Sequence, residues 1–102
     1  MKVINYMAHD VIACGVRYPQ SGHVARIAST MRKVDEVDGI PIMACESGTV
    51  HNCPPIKEGV VYLVSQYVRQ ALPKRKDLLS PAKLLRDQVG KVVGCGAFEV
   101  NL

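Results

Sequence analysis

Apolar positions along the chain fall in short β-branched runs, separated at close intervals by turn signals. The runs are Val3-Ile4, Val24 to Thr30, Ile40 to Cys45, Val60 to Val64 and Val92-Val93. The turn signals are Cys14-Gly15, Pro19-Gln20-Ser21-Gly22, Asp38-Gly39, Ser47-Gly48, Pro54-Pro55 and Gly90. This rhythm predicts short strands joined by tight turns. No internal repeat or low-complexity segment interrupts it, and Asn52 to Gly59, with two prolines, comes nearest to a linker.

Asp38-Gly39 predicts a two-residue type I′ hairpin, because both central residues need positive φ and this pair tolerates it. The register then sets Val37 opposite Ile40 and Glu36 opposite Pro41. Proline has no N–H to give a second neighbour, so the strand from Pro41 to Cys45 is expected at a sheet edge.

One helix is well signalled. Val64, Tyr67, Val68, Ala71 and Leu72 follow the i, i+3, i+4, i+7, i+8 spacing of one buried face. Ser65 is its expected N-cap and Pro73 its stop, so it covers about 65–72. Gln66, Arg69 and Gln70 fall on the opposite face. Two turns of helix cannot stand alone and must lie on the sheet. Residues 81–94 carry two local readings. Ser80-Pro81 and Gly90 frame a helix by cap, N1 proline and glycine stop. The same residues can form strands Ala82 to Asp87 and Lys91 to Gly94 around a turn at Gln88 to Gly90.

The 102 residues suffice for one domain with a real core. With 48% hydrophobic and 22% charged residues, composition argues against disorder. No apolar stretch approaches the ~18 residues of a membrane helix, and Met-Lys-Val-Ile-Asn-Tyr lacks the apolar run of a signal peptide. A cytoplasmic protein with no membrane partner is expected. The net charge of +4 favours anionic partners in general. It is too small, with only five aromatics, for a nucleic-acid platform. Four cysteines and three histidines could in principle assemble a zinc site, most densely at Cys45, His51 and Cys53. Their spacing matches no ribbon or finger, and reduced, incidental thiols are the expectation. No metal or cofactor is assigned.

No catalytic constellation emerges. Gly94-Cys95-Gly96 is not a phosphate loop, no Gly-x-Ser-x-Gly elbow exists, and His9-Asp10 on a strand would point to opposite faces. Four features offer donors to an anion instead. They are the Ser21-Gly22-His23 turn running into Arg26, the helix start at Ser65, the loop Arg75-Lys76-Asp77, and His9. Each has an ordinary alternative: a turn with a surface arginine, a helix cap, a salt-bridged loop, a hydrogen-bonded histidine. Donors without a nucleophile, base and metal set fit a binder better than an enzyme.

The chain resembles a family of small bacteriophage and prophage proteins, mostly of unassigned function. The resemblance rests on Asn5…His9-Asp10-Val11, Ser21-Gly22-His23-Val24-Ala25-Arg26, Tyr62-Leu63-Val64-Ser65 and Arg75…Asp77, and it spans nearly the whole chain. Met7-Ala8 stands where the family has Thr-Pro, and Met43 to Cys53 departs from its pattern. The resemblance implies a hairpin for 81–94 and a phage context in the host cytoplasm. Small phage accessory proteins often counter host defence. The expected fold is therefore α+β, predominantly β: a small twisted antiparallel sheet or partly open barrel with one covering helix. The expected function is non-catalytic binding of a small anionic, nucleotide-derived immune signal through His9, Ser21, Gly22, Arg26, Ser65, Arg75 and Asp77. The alternative is a protein-binding inhibitor of a host defence factor. A homo-oligomer is expected, because so small a domain would borrow a pocket wall from a second copy.

Overall fold

The computed structural model describes residues 1–102, apart from the side chain of Ser47. Its strands are β1 (Lys2–Asn5), β2 (Val11–Ala13), β3 (Val16–Tyr18), β4 (Arg26–Val37), β5 (Ile40–His51), β6 (Val60–Leu63), β7 (Leu78–Arg86) and β8 (Val92–Val100). One helix, α1 (Gln66–Ala71), follows β6. No helix among the described residues is long and apolar enough to cross a membrane.

Six strands form one sheet in the order β1-β6-β7-β8-β2-β3. A bridge from Asn5 to Gln20, just beyond β3, brings the two edges together, so the sheet is a nearly closed barrel. This is the expected β-rich architecture in its barrel form. Three pairings, β1–β6, β6–β7 and β2–β8, are parallel. Parallel pairs need long crossovers, and β1 reaches β6 only after everything from β2 to β5 has been laid down. Of residues 60–64, Tyr62, Leu63 and Val64 are buried, the continuous apolar run of a strand covered on both faces. Leu63 joins Val11, Ala13 and Cys95 in one core. Tyr62 and Val64 point the other way and join Ala25, Val68 and Leu78 in a second core.

The second sheet is a two-stranded arm, β4 with β5. Asp38 and Gly39 both take positive φ at its tip, and Val37↔Ile40 and Glu36↔Pro41 pair as expected. Pro41 lies on an edge because every strand of a two-stranded ribbon is an edge. Ser47-Gly48 is not a turn. It lies within β5, beside a register shift between Ile27 and Ser29. A Cβ on Gly48 would meet the Ala28 carbonyl oxygen at 2.5 Å, so the glycine serves close approach of the two strands. Ile27 and Val50 anchor the arm's foot on the second core, while the rest of β4 is exposed. The radius of gyration is 16.2 Å, against about 13 Å for a compact chain of this length.

Residues 81–94 form the hairpin, not the helix: β7 and β8 pair from Leu79↔Val100 to Arg86↔Val92, around a turn at residues 87–90. The strands run well beyond the segment the sequence marks out. The Asp87 carboxylate accepts from the Val89 and Lys91 N–H groups and fixes that turn.

The helix has the expected cap, with Ser65 Oγ accepting from Val68 N–H. Its faces need correction. Tyr67, assigned to the buried face, is 64% exposed, and Arg69, assigned to solvent, is 7% exposed. The cause is tertiary. Arg69 donates to Ser80 Oγ at 2.8 Å, Asn101 Oδ1 at 3.0 Å and Glu99 Oε2 at 3.2 Å. The Asn101 amide in turn donates to the carbonyls of Arg69, Leu72 and Arg75. The chain end thus supplies acceptors for a buried guanidinium and a donor for the helix's orphan carbonyls.

Candidate functional site

The segment between β1 and β2 is positioned by Asn5, which is buried at the barrel's seam. Its amide donates to the His9 and Tyr18 carbonyls at 2.9 and 3.0 Å, and its oxygen accepts from Met7 N–H at 2.8 Å. An Asn can satisfy three backbone groups at once, so it holds this loop as a unit. His9 and Asp10 therefore lie in a loop, not on a strand. The expectation that they point to opposite faces does not apply, and both line one groove.

That groove holds about 580 Å³. Met7, Val11, Leu84, Val92 and Val93 make it mainly apolar, and His9, Asp10, Ser65 and Gln66 supply its polar edge. A smaller recess of about 280 Å³ adjoins it, sharing Met7, His9 and Ser65 and adding Arg26 at the arm's foot. Gly94 permits the groove's floor: a Cβ there would meet the Ile12 carbonyl oxygen at 2.9 Å.

Three of the seven sequence-chosen residues, His9, Arg26 and Ser65, thus meet around one recess although they come from distant segments. Arg26 is exposed and enters none of the ion pairs among the described residues. His9 Nδ1 lies 2.8 Å from the Asp10 carbonyl, which leaves its other ring nitrogen for a ligand. Ser65 Oγ is engaged as a cap. Asp10 is held by Arg17 and by the Gln20 N–H. The Gln20 hydrogen bond first, then Arg17, keeps its carboxyl below the usual carboxylate range.

The other four do not join. Ser21 and Gly22 sit in a turn lining neither cavity, where Ser21 Oγ accepts from His23 N–H. Arg75 and Asp77 form a half-buried pair, with bonds of 2.8 Å from both Nε and a terminal nitrogen to the two carboxylate oxygens. Arg75 also donates to the Pro54 carbonyl, tying down the 52–59 segment. The guanidinium holds Asp77 below the usual carboxylate range. This is the salt-bridged loop, not an anion site. Cys53 lies beside Arg75, and burial pushes its thiol up. Cys45 is far along the arm, opposite Met31, while His51 sits at the foot, opposite Arg26.

Asn5, Gln66 and Tyr67 were not singled out for the site in the sequence. Asn5 carried a signal only within the resemblance. Comparison with family models, curated proteins and solved structures found no match for this chain.

Proposed function

We propose that the protein is a non-catalytic binder of a small anionic, nucleotide-like ligand. The anionic end lies at Arg26 and His9, and the flatter, less polar part lies in the groove beside Met7 and Tyr67. One observation carries this reading: three separate sequence segments deliver His9, Arg26 and Ser65 to one recess that opens into an apolar groove. A cavity of several hundred Å³ suits a nucleotide-sized molecule. Within the resemblance to phage proteins, such a binder would sequester a host immune signal in the host cytoplasm.

The two arginines separate in the test. Arg26→Ala removes a charge-assisted hydrogen bond and should weaken binding about 10- to 150-fold, a loss of roughly 1.5–3 kcal/mol. Arg75→Ala should lower stability and leave affinity nearly intact. Calorimetry with cyclic nucleotides and ADP-ribose derivatives reads both. No heat from any of them, or equal affinity in wild type and Arg26→Ala, would overturn the proposal. The exposed apolar side chains of the groove, Tyr67, Leu84, Val92 and Val93, favour the second reading, a protein-binding inhibitor of a host factor. In that case truncating these residues, not Arg26, abolishes activity.

A further inference from the structure

The arm is a two-stranded ribbon with no third strand or layer beyond its foot. Such hairpins are marginal in water. Yet Met31, Val34, Val37, Ile40, Ile42 and Met43 are all at least 42% exposed along it. The total surface is 7199 Å², whereas scaling for 11.2 kDa gives about 5,700 Å². The excess of roughly 1,500 Å² is about two contact faces of ~800 Å² each. A chain would lose that much if it both gave an arm to a neighbour and received one.

Charge indicates where the arm goes. Residues 27–50 carry two cations, Arg32 and Lys33, and four anions, Asp35, Glu36, Asp38 and Glu46. Their net is −2, so within a chain of +4 the remainder carries +6. In the barrel's sheet the β7–β8 ribbon exposes Leu84, Val92 and Val93 along the groove. Lys83, Arg86 and Lys91 stand exposed around them. An acidic apolar tip and a basic apolar ribbon complement each other in both respects.

We propose that the tip of the β4–β5 arm of one copy docks on the β7–β8 side of the groove of a second copy. The exchange is reciprocal, as two-fold symmetry permits. The docked arm lies over the Leu84, Val92 and Val93 side of the groove, leaving His9, Ser65 and the adjoining Arg26 recess uncovered. Leu84, Val92 and Val93 line the groove but not the Arg26 recess, so the docked arm shares the groove with the less polar part of the proposed ligand, while the argument for docking rests on exposure and charge alone.

Sedimentation equilibrium on the full chain at about 1–100 μM, with charge reversal at exposed positions, tests it. Wild type should exceed 11.2 kDa. D35K/E36K alone sets a basic tip against a basic ribbon, and K83E/K91E alone sets acid against acid. Each should raise the dissociation constant at least tenfold, and an equimolar mixture of the two should restore the assembly. Circular dichroism of each variant confirms that the barrel is folded. A monomeric wild type over the whole range overturns the proposal. So does an assembly that ignores both reversals. Loss in D35K/E36K with none in K83E/K91E would mean arm-on-arm contact or another partner surface, and overturns it too.

Discussion

The barrel and the arm are made of similar strands under opposite conditions. In the barrel, β6 lies between two parallel neighbours with core on both faces, and Leu63 is fully buried. In the arm, β4 has one neighbour, and beyond Ile27 every residue is exposed. Alternation and β-branching make a strand in either place. Closure decides whether that strand also makes a core. The barrel joins its edges through Asn5 and Gln20, whereas the arm leaves both edges and both faces open.

The largest effect that can break this comparison is a truncation in each region. Leu63→Ala should cost about 2–5 kcal/mol, whereas Met31→Ala should stay within about 0.5 kcal/mol in dilute protein. Urea unfolding measures both, and equal losses would contradict the contrast. Asn5→Ala comes next. It strands two carbonyls and one N–H at the seam and should cost roughly 2–3 kcal/mol. It should also weaken ligand binding, because the loop carrying His9 loosens. Normal affinity in a destabilised Asn5→Ala would mean that the recess does not need the seam.

Acid should act on the barrel side. Asp77 is held low by Arg75. A depressed carboxyl contributes its stability fully above the ordinary value of about 4, and loses it as pH falls through the depressed one. Asp77→Asn should therefore cost about 1 kcal/mol at pH 7 and progressively less below pH 4, and a penalty independent of pH would contradict the assignment. The smallest effect is chemical. Exposed Cys14 and Cys45 should alkylate readily at pH 8, half-buried Cys53 more slowly because burial raises its thiol, and buried Cys95 last. Mass spectrometry of timed iodoacetamide reactions gives that order.

Features set by neighbouring residues were legible in the sequence. The Asp38-Gly39 register, the Ser65 cap and the helix stop before Pro73 all depend on backbone chemistry within a few positions. Features set across the chain were not. The helical period placed Tyr67 inside and Arg69 outside, but Glu99 and Asn101, some thirty residues on, recruit the arginine inward. Ser80-Pro81 reads locally as a helix start. The hairpin won because the partner strand from Val92 to Val100 offers a ladder of pairings that a short helix over residues 81–89 cannot match. At the site, His9, Arg26 and Ser65 could be singled out by residue type, but their convergence depends on a barrel seam that no local pattern announces. Arg75 and Asp77 looked equally promising for the same reason. Only the geometry of the pair distinguishes a structural arginine from an available one.

Hydrogen exchange followed by mass spectrometry, at several protein concentrations, tests the central contrast most directly. The account expects amides of β6 and β7 to exchange slowly at every concentration. Amides from Thr30 to Met43 should exchange fast in dilute protein and gain protection as copies assemble. Arm amides as slow as those of Leu63 and Val64 in a dilute monomer would contradict it.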